Sequence, residues 1–93
     1  AALSELKAGP VMETRNVTSM KSLFAWNVSL ESVPLYDTSN VTDMSYMFQH
    51  CEKLEHIPTY NTLNVTDMRG MFARAYALKE VPNFKTPNLK YTK

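Results

Sequence analysis

Asp37-Thr38-Ser39-Asn40-Val41-Thr42-Asp43-Met44 returns as Asn61-Thr62-Leu63-Asn64-Val65-Thr66-Asp67-Met68, an offset of 24 residues. One step back stands Glu13-Thr14-Arg15-Asn16-Val17-Thr18-Ser19-Met20. One step forward begins Lys85-Thr86-Pro87-Asn88-Leu89-Lys90. The remainder of the unit keeps the same frame without an insertion. Leu23-Phe24 becomes Met47-Phe48 and Met71-Phe72; Leu30 becomes Leu54 and Leu78. Val33-Pro34 becomes Ile57-Pro58 and Val81-Pro82; Tyr36 becomes Tyr60 and Phe84. Residues 1–93 therefore divide into full repeats at 13–36, 37–60 and 61–84, with partial repeats at 1–12 and 85–93. A fixed period of this length is the signature of a repeat architecture, in which each unit buries its apolar face only against its neighbours.

Within residues 37–60, Val41, Met44, Met47 and Phe48 fall at i, i+3, i+6 and i+7, the spacing of one face of a short helix. Ser39 or Asn40 stands where a helix N-cap belongs, and Asp43 lies where a carboxylate suits the first turn. Leu54, Ile57 and Tyr60 carry the return path, which the proline after Ile57 limits to a short extended segment. The fold expected from this pattern is α/β. It is a short, right-handed, leucine-rich-repeat-like solenoid of 24-residue coils, with parallel strands on one face and short helices on the other.

Composition narrows the function classes. Ten Lys and Arg against nine Asp and Glu leave a formal charge of +1 over 93 residues. No clustered basic face results, so neither nucleic acid nor an anionic membrane is an expected partner. A single cysteine, Cys51, excludes an internal disulfide framework and a multi-cysteine metal site. No apolar run reaches the roughly 20 residues that span a bilayer. The opening Ala1-Ala2-Leu3-Ser4-Glu5 lacks the basic start and apolar core of a signal peptide. Neither end shows a polar cap, and the expectation is an array that continues or abuts a further domain or subunit.

The unit Asp37 to Pro58, D-T-S-N-V-T-D-M-x-x-M-F-x-x-C-x-x-L-x-x-I-P, resembles the BspA-like leucine-rich repeat surface-protein family. That resemblance spans about Glu13 to Asn88. It implies a repeat domain displayed on a bacterial surface or a phage virion and used for attachment or as a spacer. The cysteine of the motif is present only as Cys51, with Asn27 and Ala75 at the equivalent places, so no cysteine ladder is expected.

No catalytic constellation emerges. His50 and His56 lie on different parts of one unit, and Asp43 and Asp67 are explained by their helix-start position. The methionines follow the apolar stripe, and Cys51 has no histidine column beside it, which makes it a small core or turn residue rather than a nucleophile. Four Asn-x-Ser/Thr triplets start at Asn16, Asn27, Asn40 and Asn64, three of them part of the repeat itself. Positions that packing does not dictate are where recognition is encoded. Those are the columns Trp26/His50/Arg74, Ser32/His56/Glu80 and Leu35/Thr59/Asn83, with Glu31/Glu55/Lys79 beside them. Trp26, His50 and Arg74 combine an aromatic platform with cationic groups, a set suited to sugars or acidic groups. The expected function is a non-enzymatic binding or adhesion module, without cofactor or metal. It would recognise a host-cell surface protein or glycan from an extracellular position. The alternative is a structural spacer or decoration domain that stabilises a larger assembly through its open ends.

Overall fold

A computed structural model describes residues 6–91. The outermost residues of the two partial repeats, 1–5 and 92–93, lie outside the described residues. The expected α/β architecture does not form. Among the described residues there is no helix and no extended strand, only turns joined by four isolated parallel bridges. The bridges pair Ala8 with Ser32, Ser19 with Asp43, Asp43 with Asp67, and Asp67 with Tyr91. Each pairs residues 24 apart, so equivalent positions of successive repeats lie one above the other.

The segment expected to be helical is a ribbon of tight turns. Its backbone donors alternate between two uses. The N–H groups of Met20, Ser22, Phe24 and Trp26 donate to the carbonyls of Asp43, Ser45, Met47 and Gln49 in the next coil at 2.7–3.0 Å. Met44, Tyr46, Phe48 and His50 donate in turn to Asp67, Arg69, Met71 and Ala73 at 2.8–2.9 Å. The residues between them close local turns, as in Met47→Met44 at 3.3 Å, Gln49→Tyr46 at 3.2 Å and Cys51→Phe48 at 3.1 Å. An α-helix would bond every N–H to the carbonyl four residues back and keep every φ negative. Here every fourth residue is left-handed: Ser22, Trp26, Tyr46, His50, Gly70 and Arg74 have φ between 57° and 66°. A helix of two turns is marginal because nucleation costs more than so few bonds return. Bonding to the neighbouring coil satisfies the same groups without that nucleus.

The extended return strands fail for a different reason. Pro34, Pro58 and Pro82 have no N–H, so a backbone ladder cannot pass through them. Tyr60 instead bonds back to Pro58 at 3.1 Å and Phe84 to Pro82 at 2.9 Å, each a bend rather than an extended run.

Side chains fill the interior in columns. Val41, Met44, Met47, Phe48, Cys51 and Leu54 are completely buried, although the backbone carrying them is not helical. Phe24, Phe48 and Phe72 stack with centroids 5.9 Å apart, and Tyr36 and Tyr60 stack beside them at 6.3 Å. The two phenols also donate across the coils, Tyr36 to the Pro10 carbonyl and Tyr60 to the Pro34 carbonyl, both at 2.6 Å. Burial raises the pKa of each phenol, so both remain protonated donors. A buried threonine column completes the core. The hydroxyls of Thr14, Thr38 and Thr62 donate to the carbonyls of Asp37, Asn61 and Lys85 at 2.6–2.9 Å.

Candidate functional site

The candidate site is built on the second left-handed column of the turn ribbon. A residue with positive φ turns its side chain out of the run that buries its neighbours, and Trp26, His50 and Arg74 occupy that position in three successive coils. The Trp26 N–H donates to Gln49 at 2.7 Å and the His50 N–H to Ala73 at 2.8 Å, so the backbone beneath both rings is fixed. Trp26 is 55% exposed, and its ring lies 3.7 Å from that of His50 at an interplanar angle of 15°. His50 is fixed again by its own coil, Nδ1 lying 3.1 Å from Oε2 of Glu52. Arg74 continues the column as an exposed residue and makes no ring contact or ion pair among the described residues. The structure thus joins two of the three and places the third one coil further along.

The other columns lie on the return path. Ser32 is paired with Ala8 and accepts from the Gly9 N–H at 2.8 Å. His56, Thr59 and Glu80 come together with Ile57 and Pro82 around a small open groove of about 230 Å³. His56 also borders a second groove with Glu31, Glu52, Lys53, Glu55 and Ala77. Lys79 lies against Glu55, its N–H donating to the Glu55 carbonyl at 3.0 Å and its ammonium 3.9 Å from the carboxylate. Leu35 is 68% exposed, while Asn83 borders a separate groove with Thr59 and Tyr60.

The carboxylates read as helix starts have another task. Oδ1 of Asp43 accepts from the N–H and the hydroxyl of Ser45 at 2.8 and 2.6 Å, closing an Asx turn. Asp67 Oδ1 does the same with the Arg69 N–H at 3.0 Å, and its carboxylate also accepts from one edge of the guanidinium, Nε at 3.2 Å and Nη2 at 3.0 Å. Hydrogen bonding to the Arg69 side chain holds the Asp67 carboxyl below its ordinary range, and the Ser39 hydroxyl does likewise for Asp37. Each acid is committed to its own turn, not to a shared centre. No group of three or more His, Cys, Asp or Glu suited to a metal ion occurs among the described residues. Cys51 is fully buried with Sγ 3.1 Å from the Phe24 carbonyl, and burial pushes its thiol up to about 12.

Across residues 5–93 the chain matches the family model described as "Mycoplasma protein of unknown function, DUF285". The chain belongs to that family. The DUF285 repeat is related to BspA-like surface repeats. Comparison with curated proteins and with solved structures returned no match. For this DUF285 chain, the sequence columns missed Glu52, whose His-x-Glu spacing from His50 was the available signal. They also left aside the repeated Asn-Val-Thr triplet, whose side chains line a groove of their own.

Proposed function

We propose that this chain is a non-enzymatic attachment module of the BspA-like kind, displayed at a bacterial surface or on a virion. Its partner would be a host-cell surface protein or glycan. The observation that carries this reading is the Trp26–His50 stack: an exposed indole held 3.7 Å from an imidazole, both on backbone bonded to the next coil. A large aromatic whose conformation is set before binding loses little entropy on contact, and aromatic anchors dominate binding energy. Arg74, in the same column, would add a cationic edge for an acidic group. Several such modules on one particle would convert modest contacts into avidity.

The test uses Trp26→Asn and Arg74→Asn, because asparagine tolerates the left-handed backbone that alanine resists. Each is expected to weaken binding to host cells or an immobilised glycan about tenfold while the thermal midpoint holds. Full binding by the Trp26→Asn protein would remove the proposal.

A spacer or decoration role is supported by one feature of the last coil. Met68, Met71, Phe72, Val81 and Phe84 border an open apolar groove of about 380 Å³, a surface on which a neighbouring repeat, domain or subunit would stack. Binding that survives both asparagine substitutions would favour this role.

A further inference from the structure

A second surface, lined by none of Trp26, His50 and Arg74, runs along the Asn-Val-Thr triplets. Asn40, Thr42, Asn64, Thr66, Asn88 and Lys90 line an open groove of about 470 Å³ that crosses successive coils. The asparagines are held alike. Nδ2 of Asn40, Asn64 and Asn88 donates to the carbonyls of Arg15, Ser39 and Leu63 at 2.7, 2.7 and 2.8 Å. The hydroxyls of Thr42 and Thr66 donate to the carbonyls of Thr18 and Thr42, each at 3.2 Å.

These bonds orient the groups without exhausting them. A primary amide has two N–H hydrogens and an acceptor oxygen, and only one hydrogen is occupied by the ladder. A hydroxyl that donates keeps its acceptor lone pairs. The coils of Asn40 and Asn64 therefore each present one amide N–H and two acceptor oxygens in a repeated orientation, and the third coil adds the Asn88 amide beside Lys90. Lys90 is the single charged group in the lining.

We propose that this groove binds a linear, uncharged polysaccharide lying along the stack. Sugar hydroxyls both donate and accept, which matches a wall of alternating amide and hydroxyl groups. Paired coils of this kind lie about 4.8 Å apart, close to the advance per sugar of an extended pyranose chain. Successive sugars would then meet successive coils in the same way. An anionic polymer would place most of its charges opposite neutral amides, and an apolar ligand would leave those amides unpaired. The inference does not rest on the Trp26 column.

A glycan array carrying neutral linear glucans, mannans and xylans, with uronic-acid polymers beside them, tests it on the full chain. At least one neutral polymer is expected to bind. Thr42→Val with Thr66→Val removes the hydroxyls but keeps the Thr42→Thr18 and Thr66→Thr42 backbone bonds, and should weaken that binding about tenfold. If the double valine variant loses its cooperative melt, Thr42→Gln replaces it, filling the groove with a polar side chain and giving the same loss. Binding of no neutral polymer, binding of uronic-acid polymers alone, or undiminished binding by the folded variants would each overturn the proposal.

Discussion

The two halves of each coil are held together by different means. In the turn ribbon, residues 20–27 and 44–51, alternate backbone N–H groups reach the next coil at 2.7–3.0 Å. In the return path, residues 28–36, 52–60 and 76–84, backbone bonds between coils are sparse among the described residues. They join Glu31 and Ser32 to Lys7, and Lys79 to Glu55, with Gly9 donating to Ser32. Prolines at 34, 58 and 82 remove donors there, and side chains take over: stacked aromatic rings and phenol hydroxyls aimed at proline carbonyls. In both halves the inward ring columns keep their character, Phe24, Phe48 and Phe72 in the ribbon and Tyr36 and Tyr60 in the return path. The freedom lies outward in both, where Trp26 gives way to His50 and Arg74, Ser22 to Tyr46 and Gly70, and Ser32 to His56 and Glu80. Gly70 shows one limit to that freedom: a Cβ there would lie 2.5 Å from Cε1 of Tyr46, whose ring covers it.

The largest effect is expected at Phe48, which belongs to both halves. Its N–H donates to Met71 at 2.9 Å, and its ring stacks on Phe24, Phe72 and Tyr60. Phe48→Ala should cost about 3–5 kcal/mol, a large share of the roughly 5–15 kcal/mol typical of a domain. Chemical denaturation would check it, and a loss below about 1 kcal/mol would mean the columns do not carry the fold. Tyr60→Phe sharpens the contrast by removing one hydroxyl from the return path. A loss of about 1 kcal/mol is expected, with hydrogen exchange of the Met44, Tyr46 and His50 amides still the slowest. Faster exchange of those amides than of the return path would erase the distinction between the halves.

The smallest effect concerns pH. The folded Asp67 carboxyl titrates below its ordinary value of 3.8, chiefly through its hydrogen bond to Arg69. Its contribution is thus complete above that ordinary value and is lost as pH falls through the lowered folded value. Asp67→Asn should lower the melting temperature slightly at neutral pH and flatten the acid limb of its plot against pH below about 4, so that the two proteins converge at the lowest pH. An identical acid limb in both proteins would show that the Asp67–Arg69 pair is silent.

Much of the packing was legible from spacing. Val41, Met44, Met47 and Phe48 were marked as one apolar face, and all four are fully buried. The local geometry behind that face was misread. Spacings of three and four residues suit a helix, but a ribbon of three-residue turns brings the same side chains inward, and periodicity does not separate the two. Trp26 and His50 share a column in sequence; their ring contact, and the clasp of Glu52 on His50, depend on a left-handed backbone that no residue type at 26 or 50 announces. Asp43 and Asp67 look alike in either reading, since a helix cap and an Asx turn both want a short acceptor before a free N–H.

From residue order alone come the 24-residue equivalence, the apolar columns and the outward positions that vary, because each depends only on which side chains recur and how far apart. Whether the backbone donors close on their own helix or reach the next coil could not be settled that way. That choice is a competition between local and inter-coil hydrogen bonds of similar strength. It is resolved only when neighbouring coils are present to offer Asp43, Ser45, Met47 and Gln49 as acceptors.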